Sequence, residues 1–195
     1  MMTNENMKQK FIELLSSVNR SGIPELIRWL ENESDFFTAP ASTQHHGACE
    51  GGLLRHSLAV YENLIKLMDL YFDDYEQETA IICALLHDLC KANFYTVSTR
   101  NVKEDGVWKQ VPYYTVDDSY PLGHGEKSVI MLQAFIRPTM EEIIAIRWHM
   151  GGYDDAGRGG WNGSAALSAA QKKYPLAVVL HLADMAASYL TEENE

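Results

Sequence analysis

The chain is short of cysteine, of long apolar runs and of clustered basic residues, and each shortage excludes a class of protein. Cys49, Cys83 and Cys90 are odd in number and share no C-x-x-C spacing, which argues against a disulfide framework and against a thiolate zinc site. A reducing cytoplasm is the simplest setting for them. The apolar stretch over residues 176–190 is interrupted by His181 and Asp184, so no run approaches the roughly 18 residues that a membrane span needs. Residues 1–10 are polar and mixed in charge, without the apolar segment of a signal peptide or the Arg-rich face of a transit peptide. The expectation is a cytoplasmic protein with no membrane partner. Against 27 acidic side chains stand only 16 basic ones, a formal charge of −11, and no run of Lys or Arg tracks a phosphate backbone. A long nucleic acid therefore has no evident track, and any phosphorylated partner needs a local metal or lysine site.

What is present is a 195-residue chain, 46% apolar, long enough to bury one core and read as a single domain over 1–195. Apolar spacing at Phe11, Leu14, Leu15 and Val18, then Ser21 and Pro24 at a helix start, predicts two scaffold helices within residues 1–37. Residues 38–52 turn to Ala, Pro, Ser, Thr, His and Gly and read as a loop. Helices are predicted over 53–72 and 76–92, the second holding the unbroken apolar run 81–86 and so belonging at the centre of a bundle. Around residues 94–116 the period changes to that of strands flanking Glu104-Asp105-Gly106, which predicts a small β-hairpin insertion. Helices resume over 123–135, 140–150 and 165–190, the last with a break before Pro175, while residues 151–163 read as a Gly-rich loop and the last five residues as a frayed tail. The fold class is all-α with one hairpin.

His87 and Asp88 adjoin each other at the end of a helix whose preceding turns are wholly apolar, and burying them there is costly without compensation. A capped or salt-bridged pair would explain that dipeptide alone. His56, however, also stands among core-facing positions, and Asp184 lies between apolar neighbours. One metal removes the cost for all four. Imidazole and carboxylate donors suit Fe, Mn, Ni, Co or Zn without choosing among them.

The order His56, His87-Asp88, Asp184 resembles the H…HD…D signature of the HD-domain phosphohydrolases, and residues 85–91 are similar to the central helix of that superfamily. The resemblance runs over residues 46–187 and implies an HD helical bundle with a metal-binding core. His124 and His149 fall where binuclear members supply ligands to a second metal, although a helix-capping His124 and a satisfied interior His149 are the simpler alternatives. Gly51-Gly52-Leu53-Leu54 and Gly123-His124 resemble the HD module of bacterial 3'-to-5' exoribonucleases, here without the OB-fold that holds RNA in those enzymes. Gly151-Gly152-Tyr153-Asp154-Asp155 lacks the proline of the G-Y-P element of cyclic-dinucleotide hydrolases.

The resemblance implies a metal-dependent phosphohydrolase acting on a phosphomonoester or phosphodiester, with a nucleotide or short oligonucleotide as its small phosphorylated substrate. Two divalent ions bridged by Asp88 would make hydroxide available near neutral pH. The first ion would be held by His56, His87 and Asp184, the second by His124 and His149. Lys91, three residues beyond Asp88, would share a helix face with it and either bind a phosphate oxygen, assist the leaving group or simply complement the helix end. Lys127 and Arg158 are further phosphate contacts or solvated surface charges; His181 either orients Asp184 or packs in the core. His45 and His46 line the site mouth or stand by, Glu126 bonds a ligand histidine or occupies a first turn, and Tyr153 and Trp161 either stack on a base or pack back. A nucleotide-sensing HD module without turnover and a di-iron oxygenase are the competing classes.

Overall fold

The most apolar segment becomes the central helix. In the computed structural model, which describes residues 3–44 and 47–191, helix α4 (Gln77–Leu86) is buried at every position from Thr79 to Leu86. Helix α3 (Gly52–Tyr71) lies against it and, on its other side, against α9 (Leu176–Ala186). The N-terminal pair, α1 (Asn4–Ser16) and α2 (Ile23–Asn32), covers one end of this layer through Phe11, Leu15, Leu26 and Leu30, all fully buried. Helices α5 (His124–Gln133) and α6 (Met140–Arg147) pair with each other, and α6 packs on α9. Two shorter pieces, α7 (Asp155–Arg158) and α8 (Gly160–Lys173), lead into α9. No helix among the described residues is long and apolar enough to cross a membrane.

The hairpin falls where the change of period placed it. Strands β1 (Tyr95–Glu104) and β2 (Val107–Val116) pair antiparallel from Tyr95 opposite Val116 to Glu104 opposite Val107. Asp105 and Gly106 both take positive φ, 49° and 81°, as the two-residue turn that matches strand twist requires. The bundle with this one hairpin is the all-α architecture read from the sequence.

Three expectations are corrected. The helix predicted to reach residue 92 stops at Leu86; Asp88 leaves helical geometry at φ −103° and ψ 24°, and Leu89–Lys91 form one 3-10 turn. The cause is tertiary: the N–H of Cys90 donates to Ser128 Oγ on α5 at 3.1 Å, in place of continuing the ladder. Residues 151–163 are not all loop, because Asp154 caps α7 by accepting the Ala156 N–H and α8 already begins at Gly160. The last long helix divides before Pro175 as expected, but its end, Ala187–Thr191, widens to π-type turns. His45, His46 and most of the expected frayed tail lie outside the described residues.

A buried carboxylate ties the scaffold to the bundle. Glu142 closes the capping box of α6 with Thr139 and accepts from Arg20 Nη1 (2.7 Å), Arg20 Nη2 (2.8 Å) and Thr79 Oγ1 (2.8 Å). The hydrogen bonds that Arg20 donates to Glu142 raise the guanidinium pKa and outweigh burial, which acts to lower it. Arg20→Ala leaves the Glu142 carboxylate buried without its countercharge, and is expected to cost about 3 kcal/mol of stability. Urea denaturation checks this; a loss below about 1 kcal/mol, the level of an exposed pair, would remove the network from the stability argument.

Candidate metal centre

Five helices, or the turns that end them, bring the six sequence-selected residues to one point. His56 comes from the second turn of α3, His87 and Asp88 from the turn after α4, His124 from the first residue of α5, His149 from just after α6, and Asp184 from α9. His56, His87, Asp88 and His149 are buried, whereas His124 and Asp184 keep part of their side chains exposed. The rings of His56 and His87 lie 5.3 Å apart, those of His87 and His149 4.9 Å, and those of His149 and His124 5.2 Å.

Asp88 stands in the middle with its two oxygens facing different partners. Oδ2 lies 2.7 Å from Lys91 Nζ, 3.5 Å from His87 Nε2 and 3.8 Å from His56 Nε2. Oδ1 lies 2.6 Å from His124 Nε2 and 3.5 Å from His149 Nε2. Asp184 Oδ1 is 3.1 Å from His56 Nε2. Burial alone would raise the Asp88 pKa, but the positive charge of Lys91 and the neighbouring His87 and His124 hold it well below the usual carboxylate range. Asp184 is likewise held down against burial, chiefly by its hydrogen bond with His56. Both carboxylates are therefore ionised at neutral pH.

The histidines are oriented from behind. His87 Nδ1 donates to the carbonyl of Ala84 at 2.8 Å and His149 Nδ1 to that of Ile146 at 2.7 Å. Each bond fixes the tautomer and leaves Nε2 as a lone pair directed into the site, the arrangement that metal-ligating histidines adopt. Both Nε2 atoms are buried without a hydrogen-bond partner. Burial also lowers the His149 pKa, which keeps the ring neutral. At His124 burial acts in the same direction, but Cys90 and Asp88 raise its pKa to about 10, so the donor set favours a positive charge at that point. Orphaned acceptor nitrogens beside ionised carboxylates fit a divalent cation. The triplets His56, His87, Asp88 and His87, His149, Asp184 each place their donor atoms within 4.8 Å of one another.

Other selected residues separate into two groups. Lys91 reaches Asp88 as anticipated, through the 3-10 turn rather than along an α-helix face, and Asp88 helps to raise its pKa against the effect of burial. Lys127 is buried, paired with Asp118 and stacked 4.7 Å from the Phe94 ring centroid, so it is not a phosphate contact. Arg158 donates to the Gly152 carbonyl and lies over the ring of Tyr153, a lining residue, without lining the cavity itself. Glu126 pairs with Arg147 and not with a ligand histidine. His181 Nδ1 donates to the His149 carbonyl at 2.6 Å, which orients that backbone rather than Asp184. Tyr153 lines the cavity; Trp161 is 86% exposed and does not.

A cavity of about 330 Å³ opens on the centre, with Asp88, Lys91, His124 and Asp184 at its floor and Tyr95, Tyr153 and Tyr189 on its walls. Sequence reasoning missed Tyr95 and also Cys90, whose Sγ lies 3.3 Å from His124 Nδ1 and which forms a third donor triplet with Asp88 and His124. The expectation that spacing argues against thiolate ligation thus meets a contrary geometry. No C-x-x-C signal could have found Cys90, since its partner lies 34 residues away.

One glycine sets how closely α5 approaches α6. A Cβ on Gly125 would lie 2.2 Å from the carbonyl oxygen of Arg147, two residues before His149. Gly125→Ala is expected to push the helices apart, costing about 1–3 kcal/mol, and to lower the metal-to-protein ratio. Thermal melts with elemental analysis check this, and unchanged metal content in the destabilised variant would refute the link.

The HD domain family model matches residues 53–187, a span that contains all six residues, and the chain belongs to that family. Among curated proteins it is similar to dihydroneopterin 2',3'-cyclic phosphate phosphodiesterase of Methanocaldococcus jannaschii, at 30% identity over 120 residues, which cover 58% of this chain and 44% of that protein. The chain thus spans less than half the length of this curated relative. No solved structure matches it at a significant level.

Proposed function

We propose that the chain is a metal-dependent phosphohydrolase that cleaves a phosphomonoester or phosphodiester of a nucleotide or short oligonucleotide. His56, His87, Asp88, His124, His149 and Asp184 hold two divalent ions of the Fe, Mn, Ni, Co or Zn class. The observation that carries this reading is the pair of buried, unpartnered Nε2 atoms of His87 and His149, aimed at an ionised Asp88 on the floor of an open cavity. Bound divalent ions supply a lowered water pKa and offset charge on the phosphoryl group.

The protein's own groups do the rest. Asp88 offers one oxygen to each side of the centre and holds the Lys91 ammonium at the cavity floor. From there Lys91 binds a nonbridging phosphate oxygen or protonates the departing oxygen. Membership in the HD family and the likeness to a cyclic phosphate phosphodiesterase support phosphoester chemistry. The exoribonuclease-like motifs around His56 and His124 support the same chemistry, but we assign a shorter substrate. A cavity of about 330 Å³ is at the small end of ligand sites, and a net charge of −11 gives no counterion-release affinity for a long chain. Three free cysteines suit a reducing cytoplasmic setting.

The test is a series of substrates with the metal-loaded protein at fixed salt: nucleoside monophosphates, 2',3'-cyclic nucleotides, dinucleotides and single-stranded RNAs of increasing length. The expected result is the highest kcat/KM among the mono- and dinucleotides. A rise in kcat/KM beyond about ten nucleotides with steep salt dependence would overturn the size assignment, and no turnover of any phosphoester would overturn the hydrolase.

A further inference from the structure

A sulfur stands beside His124, the histidine that meets Asp88 Oδ1. Cys90 is buried, and its Sγ lies 3.3 Å from His124 Nδ1 and 3.8 Å from His124 Nε2. Donor atoms of Asp88, Cys90 and His124 all fall within 4.8 Å of one another. The backbone that carries the thiol is pinned by the bond from Cys90 N–H to Ser128 Oγ, so the sulfur is held in place from α5, the helix that also brings His124. An independent observation points to a ligand in the same space. His149 Nε2, fully buried and unpartnered, lies 3.5 Å from that same Oδ1.

We infer that Cys90 is a thiolate donor to the divalent ion on the Oδ1 side of Asp88, beside His124, so that the centre has one all-nitrogen-and-oxygen position and one position containing sulfur. This rests on the metal-centre reading above. A soft thiolate beside imidazole selects zinc, cobalt or ferrous iron over manganese or magnesium, which prefer oxygen donors. Coordination uses a sulfur lone pair of Cys90 and a ring-nitrogen lone pair of His124, and any proton carried on those two atoms passes to solvent as the cation takes its place. The other cysteines are placed differently. Cys83 is fully buried inside α4, and Cys49 is half-buried in the segment before α3.

The experiment is cobalt titration of the metal-free full chain, with the near-ultraviolet sulfur-to-cobalt charge-transfer band as readout, in the wild type and in Cys49→Ser and Cys90→Ser. The expected result is a band that saturates with cobalt in the wild type and Cys49→Ser and is lost in Cys90→Ser, with the second equivalent bound roughly ten- to a hundredfold more weakly in that variant. Cobalt bound without the band in the wild type, or a band retained in Cys90→Ser, overturns the role of Cys90 and leaves the metal centre standing. No cobalt bound by the wild type overturns the metal centre itself. Should Cys90→Ser fail to fold, zinc-edge X-ray absorption on Cys49→Ser decides: a sulfur scatterer at about 2.3 Å supports the inference, and nitrogen and oxygen alone overturn it.

Discussion

Alanine at both His87 and Asp88 is expected to abolish stoichiometric metal binding and to lower kcat on any phosphoester substrate by at least about a thousandfold. The two residues are adjacent, fully or almost fully buried, and contribute the oriented Nε2 lone pair and the central carboxylate on which both sides of the centre depend. Removing them together avoids a confusion that either single change would bring. With only the carboxylate gone, the Nε2 atoms of His87 and His149 would still attract a cation; with only the ring gone, Asp88 would still bridge. The fold should persist, because the α4 core from Thr79 to Leu86 is untouched. Elemental analysis with circular dichroism measures both effects. Metal content unchanged in a folded double variant would show that the ion is held elsewhere.

Lys91→Ala is expected to separate chemistry from metal binding. The ammonium lies 2.7 Å from Asp88 Oδ2, so it competes with a cation for that oxygen while also facing the cavity. Loss of the lysine should therefore leave metal content equal or higher, and lower kcat/KM by roughly a hundred- to a thousandfold, the scale of one well-placed charged donor. Activity at the wild-type level would reduce Lys91 to a helix-end lysine. Metal content that falls in step with activity would make it a prop for Asp88 and nothing more.

Much of this was legible because the sequence signals were local or repeated. The apolar run of α4, the Asp105-Gly106 turn and the break at Pro175 are each determined by neighbours along the chain, and each appears where it was read. The site was legible as a set: no single histidine or aspartate was persuasive, but His56, His87, Asp88 and Asp184 shared the same anomaly of a polar group in an apolar helix, and the fold brings them together. Other features were written in contacts between distant segments. Apolar Leu89 and Cys90 continue a helical pattern, yet Ser128 captures the Cys90 N–H and turns the chain out of the helix. Lys127 reads as an available cation until Asp118 and the Phe94 ring are seen to enclose it. The glycines of residues 151–163 read as loop, but Asp154 both caps α7 and receives Arg147, which orders the segment. Cys90 has its partner on another helix, and a search by cysteine spacing passes over it.

Anomalous diffraction from crystals of metal-loaded protein tests the central claim most directly, because it locates the ions without reference to activity. The expected result is anomalous density beside Asp88 on both its Oδ1 and Oδ2 sides, with His87 Nε2 and His149 Nε2 at bonding distances of about 2.0–2.2 Å. Density at a site remote from Asp88, or none at all while the Nε2 atoms of His87 and His149 turn to other partners, would contradict it.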